Sequence, residues 1–239
     1  MSEQQNLIEK YNVKNFKDLL SVCIGKSQSY QLNFLDLLVD HKRWDVDITT
    51  NTLIIDETKY DVEFIGTESA ANDSWLWADA NKSLSEENVL LVKQIPKIGE
   101  YYNISELSEA NLPLDEQITG HNLSAIACIL LGHNNLCYYR GKSDSNSPAV
   151  FMFVKNANPK VFDTVDPNRF NRIVMECMNY CDLNHRLFIK SFLELNECLV
   201  EETTNTITGT WPNGSTFIAT FDEQDRYISA NIHMNSSGE

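Results

Sequence analysis

The hydrophobic period of this chain changes at residue 44, and that change limits the folds open to it. Upstream, Phe16, Leu19, Leu20, Cys23 and Ile24 follow i, i+3, i+4, i+7, i+8, the spacing of one helix face. A break at Gly25 to Ser29 precedes a second helical stretch through Leu32, Leu35 and Val39. It ends near His41 and Lys42, where cations suit the carbonyl end of a helix. Then Trp44, Val46 and Ile48 alternate with Asp45, Asp47 and Thr49, the period-two pattern of a half-buried strand. Leu53 to Ile55, Tyr60 to Thr67 and Ser74 to Ala80 continue as strands with short polar links, which makes an antiparallel meander the economical arrangement.

The rest of the chain alternates in the same way. Ser85 to Gly99 reads as a helix capped by Ser85 and stopped by Pro96. His121 to Leu131 is apolar nearly all round, which predicts a buried helix ended by Gly132. Cys137 to Arg140 and Val150 to Val154 are the next strands. Asp166-Pro167 pairs an N-cap with proline at the first helical position, and opens a stripe of Phe170, Ile173, Val174, Cys177 and Cys181. A second helix carries Leu187, Phe188, Phe192, Leu195 and Leu199. Strands at Ile207 to Trp211, Thr216 to Phe221 and Tyr227 to Met234 then form a ribbon, with a tight turn at Pro212-Asn213-Gly214. The expected fold is α+β: an antiparallel meander sheet flanked by helices over residues 1–158, followed by a smaller helix-pair plus β-ribbon unit over residues 159–239 packed on it.

Thirty-four acidic residues against 19 basic ones leave a net charge of −15. Such a field repels phosphates and anionic lipid, so neither nucleic acid nor a membrane surface is an expected partner, whereas a basic protein is. Met1 to Gln5 is polar and slightly acidic, so no secretory leader is expected. The longest apolar run, Ala125 to Leu131, is far too short to cross a bilayer. Six cysteines without a CxxC motif read as reduced thiols in a cytoplasmic protein. The sequence leaves the oligomeric state open.

Signatures of chemistry are sparse. Gly25-Lys26-Ser27 ends like a phosphate-binding loop but lacks the upstream glycine and follows a helix where that loop follows a strand. His121, Cys128, His133 and Cys137 lack the paired short spacing of a zinc site, and Cys177 with Cys181 falls in a core stripe. Asp45 and Asp47 read as a solvated strand face, and no nucleophile elbow or HExxH motif occurs. No catalytic residue, cofactor or metal site is therefore expected, and the balance leans away from an enzyme. What remains is Ser74-Trp75-Leu76-Trp77-Ala78-Asp79-Ala80-Asn81. On a strand Trp75 and Trp77 share one side. Two readings are open: the indoles floor a core, or they wall a pocket with Asp79 and Asn81 as polar handles and His121 or Arg140 at the rim.

Arg43-Trp44-Asp45-Val46-Asp47, Phe64-Ile65-Gly66 and Trp75-Leu76-Trp77-Ala78-Asp79-Ala80-Asn81, in that order, resemble the DUF6882 family of bacterial domains of unknown function. The likeness runs over roughly residues 28 to 156, through Ser124 to Leu131, Tyr139-Arg140 and Phe151-Met152-Phe153, and the tail around Trp211 to Gly214 is similar to the terminal hairpin of longer members. The family carries an aromatic residue where this chain has Asp79. The resemblance implies a fold and no activity. Three functional expectations follow from the residues: a non-catalytic acidic module that binds a basic protein, in the manner of an immunity protein; a small-molecule pocket beside the WLWADAN strand; and a scaffold that pairs through the edges of its terminal ribbon.

Overall fold

The computed structural model describes residues 3–38, 43–132, 135–144 and 147–235. The expected positions Val39, His41, Lys42 and His133 lie outside the described residues. Two helices, α1 (Glu3–Lys10) and α2 (Phe16–Leu37), precede strands β1 (Trp44–Asp47), β2 (Thr52–Ile55), β3 (Thr58–Ser69) and β4 (Ser74–Trp77). Short helices α3 (Ile95–Tyr102) and α4 (Ser105–Ser108) lead to β5 (Asn111–Pro113), then α5 (Gly120–Gly132), β6 (Cys137–Gly141) and β7 (Ala149–Val154). The last segment holds α6 (Pro167–Tyr180), α7 (His185–Leu195), β8 (Leu199–Glu202), β9 (Thr206–Thr210), β10 (Thr216–Phe221) and β11 (Tyr227–His233). The first sheet runs β1-β2-β3-β4-β5, with β7 paired to β3 and β6 outside β7; the second runs β11-β10-β9-β8. Every pairing is antiparallel, and the fold is α+β.

The N-terminal helical region is one helix where two with a break were expected. Asn15 caps α2, its side chain accepting from the Asp18 N–H at 2.9 Å, and the helix passes through Gly25 without interruption. Gly25 is there for closeness: a Cβ at that position would lie 2.6 Å from the Phe192 ring and 2.9 Å from Phe188. From Leu19 to Tyr30 every residue but Gln28 is buried, which is the burial of a helix enclosed on all sides. It packs chiefly on α7 on one flank and α5 on the other, so residues of both segments join one continuous core. The phosphate-loop look-alike is thus mid-helix. Lys26 is 2% exposed, and its ammonium rests over the Tyr30 ring, 4.9 Å from the centroid.

Three other expectations change. Pro96 opens α3 instead of closing a helix, because a proline in the first turn gives up no helical hydrogen bond; the segment before it is two short 3-10 turns, the first closed by a capping box between Ser85 and Asn88. The β4 strand stops at Trp77, and Ala78 to Ala80 form a 3-10 turn. Leu199 does not extend the α7 stripe. That helix ends at Leu195, Glu197 takes a left-handed φ of 62°, and Leu199 starts β8. The buried Asn196 amide fixes this exit by accepting from the Val165 N–H and donating to the Val165 carbonyl, both at 2.9 Å.

A bulge at Ile65 shifts the β3–β7 register between Phe64 and Gly66. Gly66 then leaves room for the Trp75 indole, which a Cβ would meet at 2.2 Å. The outer edge of β6 would expose backbone groups. The Gln31 amide of α2 covers them, with its nitrogen oriented to donate to the Tyr138 carbonyl and its oxygen to accept from the Tyr138 N–H, both at 2.9 Å.

Two substitutions test the packing of α2. Alanine at an ordinary helical glycine gains up to about 1 kcal/mol, but overpacking costs about 1–3 kcal/mol. Gly25→Ala is therefore expected to lower the unfolding free energy by about 1–2 kcal/mol in urea titration; a gain would mean that Phe192 yields freely. Burial lowers the Lys26 pKa from 10.5 to about 8. The unfolded chain thus holds more protons between pH 8 and 10.5, and stability rises with pH across that window. Lys26→Met is expected to stabilise by about 1–3 kcal/mol at pH 7, with the advantage shrinking towards pH 10. A constant difference across that range would refute the electrostatic account.

Candidate functional site

One row of cross-strand neighbours links the tryptophan strand to a cleft. Trp77 faces Gly66, Gly66 faces Phe151, and Phe151 faces Arg140, so the row crosses β4, β3, β7 and β6 with its side chains on one face. Trp75 follows one step along β4, opposite Glu68. Both indoles are enclosed, at 0% and 1% exposure. They meet edge to face at 5.4 Å, and Trp75 meets Phe151 at the same distance. The Trp77 Nε1–H donates to the Glu106 carbonyl at 3.3 Å. These rings are core, and neither lines the cleft.

Phe151, itself fully buried, is the layer between that core and the cleft. On its far side lie three polar-tipped groups. The His121 ring stands edge-on to it at 5.3 Å, Tyr138 lies 6.1 Å away, and the Arg140 guanidinium is 5.8 Å from its centroid. The three line a cleft of about 680 Å³, with mainly apolar walls, set between α2, the start of α5, the edge of β6 and the end of α6. Ile24, Phe34 and Leu35 of α2 form one wall, and Cys177, Tyr180 and Cys181 of α6 another. His121 and Arg140, both expected from the sequence, are thus brought together, while Asp79 and Asn81 stand apart from them. The Asn81 side chain closes a local turn by accepting from the Ser83 N–H at 3.0 Å.

The electrostatics of the cleft come from few groups. His121 Nδ1 is 3.1 Å from the Tyr138 hydroxyl. Desolvation at the cleft wall, then the Arg140 cation, lowers the His121 pKa, with Glu68 opposing. Burial drives the Tyr138 phenol well above its usual range, so it remains a hydroxyl. Where that hydroxyl donates to Nδ1, the neutral ring carries its proton on Nε2. Arg140 Nη2 is 3.7 Å from Glu68 Oε1, beyond hydrogen-bond reach, while Glu68 Oε2 accepts from the Gly120 N–H at 3.0 Å at the start of α5. Arg140 Nε is enclosed without a partner. Burial raises the Cys177 and Cys181 thiols, which keeps them protonated and poor nucleophiles. Among the described residues no group of three or more His, Cys, Asp or Glu is arranged to hold a metal ion. The cleft can therefore bind and orient a molecule through Arg140 and His121. The sequence reading missed Gln28, Asn122 and Tyr138 in its lining; only the two-residue spacing of Tyr138 and Arg140 on β6 signalled that they share a face.

Asp79 has a separate, energetic signature. Its Oδ1 is enclosed with no hydrogen-bond partner. Burial raises its pKa, against the backbone N–H groups of Asp79 and Ala80 and the Lys93 cation. A folded-state pKa above the unfolded one means a contribution that is full at low pH and lost as pH rises through the folded pKa. Asp79→Asn is accordingly expected to raise stability at pH 7, by less than about 1 kcal/mol because the group is only half enclosed. Thermal melts at pH 7 and pH 4.5 should show the gain shrinking at the lower pH; a loss of stability at pH 7 would refute it.

No curated protein and no solved structure matches the chain. Residues 17–157, well over half of its length, match the model of a family of unknown function, DUF6882, and the chain belongs to that family.

Proposed function

We propose that the chain is a non-catalytic binding protein that takes a small amphipathic molecule in the cleft between α2, α5, α6 and β6. The observation that carries this reading is a space of about 680 Å³ in which mainly apolar walls surround a guanidinium whose enclosed Nε has no hydrogen-bond partner among the described residues. Small-molecule sites span about 300–1,000 Å³ and combine apolar lining with a few convergent polar groups. The packed row beneath, from Trp77 through Phe151 to Arg140, supports the reading because it holds the polar wall on sheet strands instead of loops. Six free thiols support a reducing compartment, the cytoplasm, and no helix among the described residues is long and apolar enough to cross a membrane.

A second reading has its own observation, the net charge of −15. A field of that size speeds capture of a basic protein, as an immunity-type protein would require. A basic partner recovered at low salt and released at high salt favours it, and salt-insensitive capture counts against it.

The cleft reading is tested by a thermal-shift screen of small metabolites. A ligand is expected to raise the melting temperature by several degrees when present far above its Kd. Gln28→Trp should abolish the shift, since Gln28 lines the cleft, is half-buried and can be enlarged without entering the core. A screen without any stabilising compound, or a shift that Gln28→Trp leaves intact, would overturn the assignment.

A further inference from the structure

Among the described residues lining the cleft, Arg140 is the only lysine or arginine. Its side chain is a third exposed, its guanidinium lies 5.8 Å from the Phe151 centroid, and its enclosed Nε has no hydrogen-bond partner among the described residues. Glu68 balances its charge without satisfying its donors, because Glu68 is held on the Gly120 N–H at 3.0 Å and stays 3.7 Å from Nη2. A buried-edge guanidinium in this condition is matched by a planar anion that can accept from its fork of N–H donors. The other charged groups of the lining narrow the choice. Glu116 is exposed, and Glu176 has its own partner in Arg172 at 3.6 Å. A dianionic phosphate would set two charges beside these carboxylates in a chain already at −15, whereas a single carboxylate charge matches a single guanidinium. A cationic head would face the Arg140 cation, and Glu68, the carboxylate beside that cation, is already held on the Gly120 N–H. The wall from Ile24, Phe34 and Leu35 requires the remainder of the molecule to be apolar.

We infer that the cleft recognises small monocarboxylates with an apolar or aromatic tail, the carboxylate accepting from Arg140 and the tail lying along α2. This rests on the ligand-binding reading above and names its ligand class. His121, on the same wall, offers its Nε2–H as a further donor to that head group.

The test uses the full chain and three matched probes, 4-phenylbutyrate, 4-phenylbutan-1-ol and 4-phenylbutylamine, in isothermal titration calorimetry. The carboxylate is expected to bind at least about tenfold more tightly than the alcohol, the size of one charge-assisted pair, and the amine most weakly. Arg140→Gln should remove that preference while alcohol binding persists. Arg140→Lys should retain part of it, keeping the charge but losing the fork. An alcohol that binds as well as the carboxylate, or an Arg140→Gln variant with unchanged carboxylate affinity, overturns the head-group assignment and leaves the cleft as a ligand site. Binding of none of the three overturns both. Should Arg140→Gln fail to fold, the head-group series on the native chain together with Arg140→Lys decides the matter.

Discussion

From Leu19 to Tyr30 helix α2 has almost no solvent face, and the rest of the molecule is arranged around that constraint. A helix enclosed on all sides must meet neighbours at short distance and leave no polar group stranded. Gly25 answers the first demand by admitting the Phe192 ring. Two serine hydroxyls answer part of the second, while Ser27 Oγ is enclosed without a partner among the described residues: Ser21 donates to the Lys17 carbonyl at 2.7 Å and accepts from the Asn184 N–H at 2.9 Å, which ties the start of α7 to α2. Ser29 donates back to the Lys26 carbonyl. Two residues further on, Gln31 covers the free edge of β6. The same helix thereby anchors the C-terminal segment, closes the first sheet and supplies the apolar wall of the cleft.

The tryptophan pair acts on the cleft at one remove. An indole buries a large apolar area in a fixed shape, and two at right angles fill the space below β3 and β7. Phe151 is thereby held in position, and the cleft groups rest on Phe151. Truncating a buried aromatic of this kind costs about 3–5 kcal/mol. In this arrangement such a loss would also free the surface on which Arg140 and His121 are oriented. A support layer of this type separates the residues that are most visible in the sequence from the residues that line the cleft.

This separation explains which features were legible in the sequence. Period-two and period-3.6 patterns report burial of a face, so β1 to β4, α5, α6 and the terminal strands could be read directly. The 3-10 turns at Glu86–Asn88 and Val92–Gln94 and the end of α7 were not, because they are decided by tertiary partners such as the Asn196 amide on Val165. Gly25 was read as a break since glycine is a poor helix former in isolation; its reason for being there is a ring 163 to 167 residues away in the chain, at Phe188 and Phe192. In the site, His121 and Arg140 were visible as polar residues at element ends. Gln28 and Cys177 were not, because amphipathic spacing cannot tell a wall that faces a core from one that faces a cleft.

Charge gives the last connection. The chain carries a net −15, yet its cleft presents a guanidinium. Glu68 makes this possible. Its carboxylate is drawn to the amide end of α5, where the Gly120 N–H and the helix dipole favour an anion. Had it moved the remaining distance to Arg140, a closed ion pair would have occupied part of the guanidinium's donor set. Held at 3.7 Å, it lowers the cost of desolvating the guanidinium without occupying it. Arg140 therefore keeps donors facing the cleft, and its cation adds to desolvation, the larger cause, in lowering the His121 pKa. The acidic exterior is screened over about 8–10 Å at physiological salt, so it acts on an approaching molecule in solution but little within the cleft. The guanidinium in the cleft and the acidic exterior are then electrostatically separate features of the same chain.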